Sequence, residues 1–142
     1  MIKRLYLYYK ERYPIIPRFL LGVIVFFEIH FIILLNSGMT WQDFHLGISE
    51  VVGAYTVFAF LLWLRVADDI KDYETDKVLF PERPLPSGRI TKKDLMISCS
   101  IFQVIAIALN VIFMRENIWC FIILYVYGYL MSKWFFRKKK IQ

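Results

Sequence analysis

The sequence predicts an all-α fold: an integral membrane helical bundle of about four transmembrane helices. Three observations carry this. The 142 residues are 58% hydrophobic and 18% aromatic, with a mean hydropathy of +0.50. That is more apolar than a typical soluble domain. Four apolar stretches, at about residues 18–36, 46–67, 95–114 and 118–136, approach the roughly 20 residues that cross a bilayer as a helix. Lys and Arg are plentiful in alternate segments between these stretches and scarce in the others.

Residues 1–14 come first. Lys3, Arg4, Lys10 and Arg12 lie among aromatics, the pattern of an interfacial helix. The apolar stretch that follows is long and lacks a small-residue cleavage site, so it reads as a first span and not as a signal peptide. The link at residues 36–45 contains no Lys or Arg. After the second span, residues 68–93 form a long charged segment with Lys71, Lys77, Arg83, Arg89, Lys92 and Lys93. Thr91, three residues before Asp94, looks like the capped start of the third span. A short link carries only Arg115, and the fourth span leads to Lys133, Arg137, Lys138, Lys139 and Lys140. Residues 1–142 therefore read as one membrane domain. Both termini and the charged segment are expected on the cytoplasmic side of a bacterial-type plasma membrane.

The net charge of +6 belongs to these flanks. It suits the lipid bilayer and its anionic headgroups, and no nucleic-acid partner is expected. Cys99 and Cys120 fall inside spans without a second Cys or His at ligand spacing, and read as small buried hydrophobes. Glu28, His30, Glu50, Gln103 and Asn110 are polar residues in or beside spans. Such residues are either functional or hydrogen-bond one helix to another.

The chemistry concentrates in residues 68–76, which hold five of the chain's 12 acidic residues directly after an apolar span. Carboxylates are costly near hydrocarbon and mark a functional site there. Asp68, Asp72 and Asp76 are each four residues apart, so a continuing helix would place them in a stripe on one face. Like charges at that spacing repel. Asp68, Asp69, Asp72 and Asp76 are thus candidate ligands for Mg2+, which takes hard oxygen donors and is commonly shared between carboxylates and substrate phosphates. The plain alternative is a solvated acidic loop. Arg83, Arg89 and Lys77 follow as candidate diphosphate-binding residues, since Arg matches phosphate oxygens with a planar fork and Lys offers a point charge. For Lys92 and Lys93 the reading is orientation only. Pro81, Pro84 and Pro86 stiffen the loop around Arg83, and Gly88 permits a tight turn. Arg65, one turn before the acids, is placed to pair with Asp69.

Asp68-Asp69-x-x-Asp72-x-x-x-Asp76, followed by Arg83-Pro84-x-Pro86-Ser87-Gly88, resembles the first Asp-rich motif and following loop of the UbiA superfamily of intramembrane prenyltransferases. The motif spans about twenty residues, and the order of the spans extends the likeness over most of the chain. The resemblance implies a helical bundle with a lipid-open cavity in which Mg2+ holds a polyprenyl diphosphate. Ionisation gives an allylic cation, which an acceptor that the motif does not specify captures. Carried over by position, Asp68, Asp72 and Asp76 would bind the metal and Asp69 would support them. Asp72 and Asp76 would act catalytically, and Arg83 would hold the diphosphate. Tyr55, Phe58, Phe60 and Trp63 would line a prenyl channel or simply pack.

Two departures from that pattern matter. Asp68 stands where the family has Asn, which adds a charge but keeps an oxygen ligand. Family members also carry further spans and a second Asp-rich motif, whereas Glu116 is the only acid after Asp94. The chain is therefore expected to be the N-terminal half of such an enzyme. The alternative is a non-catalytic or truncated membrane module that binds cation or lipid, or that needs a second chain or a homo-oligomer to complete the bundle. An ion-conducting role would require acids inside a span, and these border one.

Overall fold

The computed structural model describes residues 1–134, with side chains described to residue 131. The basic residues 137–140 and the last two residues of the fourth predicted span lie outside the described residues. The described chain is helical, with no strand: α1 (Ile2–Arg12), α2 (Ile15–Asn36), α3 (Ile48–Lys71), α4 (Tyr73–Leu79), α5 (Lys92–Phe113) and α6 (Ile118–Trp134). Single 3-10 turns at Trp41–Asp43 and Arg115–Asn117 lie within the two short links.

Helices α2, α3 and α5, of 22, 24 and 22 residues, are long and apolar enough to cross a membrane. At about 1.5 Å per residue each exceeds the roughly 30 Å hydrocarbon thickness. The fourth predicted span coincides with α6, of which 17 residues are described.

Local chemistry explains the boundaries. Pro14 disfavours helical geometry at Tyr13, which is non-helical (φ −147°, ψ 72°), and so separates α1 from α2. Pro17 falls in the first turn of α2, where its missing N–H costs nothing. The Glu50 carboxylate accepts from Gly47 N–H at 2.8 Å and starts α3. Thr91 Oγ1 accepts from Asp94 N–H at 3.1 Å and starts α5.

Helix α3 is central, packing on α2 and on α5, with α6 against both α3 and α5. Two glycines allow the α2–α3 approach. A Cβ on Gly22 would sit 3.1 Å from the Phe58 backbone, and one on Gly53 would overlap the Phe26 ring. Small residues at a helix crossing serve this purpose in membranes. The main buried cluster begins at the middle of α3. From there it extends to the acid-bearing end, where Tyr8, Tyr9 and Tyr13 of the N-terminal segment meet Phe58, Leu62 and Val66 of α3, Leu85 and Ile90 of the loop, and Leu95 and Cys99 of α5. The flanks of α2, α5 and α6 instead expose large apolar residues such as Ile24, Ile32, Val104, Ile112 and Ile123, as lipid-facing helices do.

Helix α1 is thus built into the bundle end. Its Tyr8 is fully buried, Tyr9 pairs with Ser98 through their hydroxyls, and Arg4 lies 2.9 Å from Asp94. The interhelical alternative fits two of the intramembrane polar residues. Asn110 donates to Thr56 Oγ1 at 2.8 Å. Gln103 donates to the Ala59 carbonyl at 2.8 Å and accepts from Tyr125.

Candidate functional site

The helix of α3 pauses at Asp72 (φ −81°, ψ 5°) before α4 resumes. The pause keeps the hydrogen-bond ladder. Asp72 N–H donates to the Asp68 carbonyl at 2.8 Å, Asp76 N–H to that of Asp72 at 2.7 Å, and Phe80 N–H to that of Asp76 at 2.8 Å. The i, i+4, i+8 register of the stripe therefore survives the break.

The four aspartates nevertheless meet different surroundings. Asp69, 6% exposed, turns into the bundle end. It accepts from Tyr8 Oη at 2.6 Å and Arg12 Nη2 at 2.8 Å, and Arg65 Nη2 lies at 3.2 Å. Asp76 is equally buried, and Nη1 of Arg83 donates to both of its oxygens at 2.8 Å. Buried carboxylates need such partners, because an isolated charge away from water is costly. Asp68 is half-buried, with Lys71 and Arg65 near enough to act on its charge, and no hydrogen bond or ion pair reaches its carboxylate among the described residues. Asp72 has a side chain 52% exposed, with Lys71 Nζ at 3.6 Å. Among the described residues no group of three or more His, Cys, Asp or Glu side chains converges as a metal site.

Tyr8, Arg12, Asp69, Asp76, Arg83 and Pro84–Pro86 surround one tight crevice. Burial, and then the charge of Asp69, push the Tyr8 phenol up from its ordinary value. Burial opposes the charge on Arg12. The hydrogen bond to Asp69 and the fields of Asp69 and Asp76 outweigh it and raise the guanidinium. Tyr8 and Arg12 are functional candidates that the sequence pattern did not single out. They lie one turn apart on α1, which places both on one face, but nothing in their spacing points to residues 57 to 61 positions away.

The basic loop is pinned by its own contacts. Leu85 and Ile90 are buried, and Ile90 N–H donates to the Pro84 carbonyl at 3.2 Å. Gly88 takes φ +78°, open to glycine at little cost. All three guanidinium nitrogens of Arg89 are committed: Nε to Ser87, Nη1 and Nη2 to Glu11, and Nη2 also to the Glu82 carbonyl. Arg83 uses only Nη1 on Asp76, and its guanidinium carbon lies 3.9 Å over the Phe80 ring. Lys77 Nζ lies 4.3 Å over the Tyr73 ring and 3.8 Å from Glu74.

Beside the acids, a groove of about 550 Å³ opens between α3 and α5. Lys71 stands in its wall, and Trp63, Ile70, Met96, Cys99 and Gln103 line it. Phe58, by contrast, is core.

Two curated proteins resemble the chain. It is 30% identical over 110 residues to the digeranylgeranylglyceryl phosphate synthase of Methanococcus aeolicus, covering 74% of this chain and 38% of that protein. It is 32% identical over 83 residues to the synthase of the same name from Methanosphaera stadtmanae, covering 56% of this chain and 30% of that protein. The chain thus spans about a third of the length of these relatives. No family model and no solved structure matches it.

Proposed function

We propose that this chain, a partial relative of the UbiA superfamily of prenyltransferases, presents one acidic face of a polyprenyl diphosphate site at the membrane border. The carrying observation is the division of labour among the acids. Asp69 and Asp76 are consumed by guanidinium groups, whereas Asp68 and Asp72, one turn apart, are not.

Two carboxylates with hard oxygen donors, beside a place for substrate phosphates, suit Mg2+. Asp68 and Asp72 would hold it, and the metal would neutralise charge developing on the diphosphate leaving group. Asp69 and Asp76 keep the helical segment in place. Arg83 retains Nε and Nη2 to meet diphosphate oxygens, Lys77 adds charge, and Arg89 fastens the loop. The apolar groove beside Lys71 takes the prenyl tail and shields the reacting carbon from water.

The names of the relatives support a glyceryl-phosphate-type lipid as acceptor. The remainder of the catalytic cavity would come from a second acidic motif, on another part of the bundle or on a partner chain. The Lys and Arg excess on the segments at this end supports a cytoplasmic orientation.

The test is binding of a non-ionising prenyl thiolodiphosphate to the chain in nanodiscs, with and without Mg2+. Wild type should bind in a Mg2+-dependent way. Equal binding by an Asp68→Ala/Asp72→Ala variant would refute the proposal.

A further inference from the structure

We infer that Tyr8 and Arg12 of α1 are positioning residues for the acidic stripe. By holding Asp69 they set how Asp68 and Asp72 are presented to a metal–diphosphate ligand. The inference rests on the function proposed above and assigns part of that site to the N-terminal helix.

Asp68 and Asp69 are consecutive, so their side chains leave the helix about 100° apart. Fixing one therefore fixes the direction of the other. Of the three groups on Asp69, Arg65 lies on the same helix at i, i+4 and cannot orient α3 against anything else. Tyr8 and Arg12 come from a separate element and can. Their own helix is firmly held. Tyr9 bonds to Ser98, Arg4 pairs with Asp94, and Glu11 is clasped by Arg89. Helix α1 is thus a bracket, fastened to α5 and the basic loop, that reaches the acids through two side chains.

The bracket also spans the break in the helix. Asp72 is the non-helical residue between α3 and α4. Asp69 lies before it and Asp76 after it, and both share one crevice with Tyr8 and Arg12. Asp72 is therefore held between two anchored carboxylates. A group hydrogen-bonded to a metal's ligand commonly changes its affinity about 10- to 100-fold when removed. Tyr8 and Arg12 act one residue further out, through Asp69, so the lower end of that range is the most they should reach.

The experiment is a Mg2+ titration of prenyl thiolodiphosphate binding in nanodiscs. Wild type is compared with Tyr8→Phe, Arg12→Gln, Thr56→Val and Asp68→Ala/Asp72→Ala, with thermal unfolding recorded for each. Tyr8→Phe removes one hydroxyl from a buried ring; Arg12→Gln is the stronger test. Thr56→Val also removes one buried hydroxyl, bonded to Asn110 and not to α1 or the acids. The expected result is a rise of up to about tenfold in half-saturating Mg2+ for Tyr8→Phe and Arg12→Gln. Thr56→Val should lose some thermal stability yet match wild type in Mg2+ dependence. Loss of Mg2+ dependence in the Asp68/Asp72 variant, with Tyr8→Phe and Arg12→Gln no different from Thr56→Val in half-saturating Mg2+, would overturn this inference alone. Mg2+-independent binding by wild type would overturn the site and the inference together.

Discussion

Arg83 donates from Nη1 to both carboxylate oxygens of Asp76, each at 2.8 Å, and so closes the Pro-rich loop onto the end of the acidic stripe. Asp76 is 6% exposed, whereas the Arg83 side chain is 28% exposed. Removing the cation strands a buried carboxylate. Breaking a fully buried pair costs roughly 3–5 kcal/mol, and the partial exposure of Arg83 places Arg83→Ala at about 3 kcal/mol. Denaturation in detergent checks this. Adding Asp76→Asn to Arg83→Ala should recover part of the loss, as expected for directly coupled groups. Unchanged stability, with only ligand binding weakened, would mean that Arg83 serves the diphosphate alone.

The bundle was legible in the sequence because each cue was local: apolar runs of spanning length, prolines at boundaries, and the Thr91 cap. The Arg65–Asp69 pair was legible for the same reason, as an i, i+4 contact. The acidic spacing showed the stripe but not the split within it. Which carboxylate turns inward depends on partners far away in sequence, Tyr8 and Arg12 for Asp69 and Glu11 for the competing Arg89. That Tyr8, Tyr9 and Tyr13 turn into the bundle was hidden because their amphipathic rings suit a lipid interface as well as a protein core.

Gly22 and Gly53 should respond differently to the same added methyl group. At Gly22 the neighbour is the Phe58 backbone at 3.1 Å, which cannot rotate aside. Helices α2 and α3 must then separate slightly, at an overpacking cost of about 1–3 kcal/mol. At Gly53 the obstacle is the Phe26 ring, which can swing away while giving up its stacking on His30. Thermal unfolding should rank Gly22→Leu as most damaging, then Gly22→Ala. A Gly53→Ala variant less stable than Gly22→Ala would contradict this packing.

Asn110 is tied to α3 by one side-chain bond, Nδ2 to Thr56 Oγ1 at 2.8 Å, inside the apolar part of the bundle. Bonds of this kind in membrane proteins contribute about 0.6 kcal/mol on average and at most about 1.7. Asn110→Leu and Thr56→Val should therefore each destabilise only mildly. Their double-mutant cycle should give a coupling energy in that range. A loss several times larger would show that the pair holds more than the α3–α5 seam.

Glu11 and Arg89 supply a pH-dependent fastening of α1 to the basic loop. The hydrogen bond from Arg89 holds the Glu11 carboxyl below its ordinary value of 4.5, and the bond to Glu11 raises the Arg89 guanidinium. A carboxyl whose folded value is depressed contributes its stability above the ordinary value. That contribution fades as pH falls through the depressed one. The clasp should thus be intact at neutral pH and released only in acid below 4.5. Amide hydrogen exchange of α1 in wild type and Glu11→Gln isolates it from the other acids of the bundle end. At neutral pH the variant should exchange faster. Once acid protonates Glu11, the two should converge. A difference that persists unchanged into acid would show that the Glu11 side chain stabilises α1 by packing and not by charge.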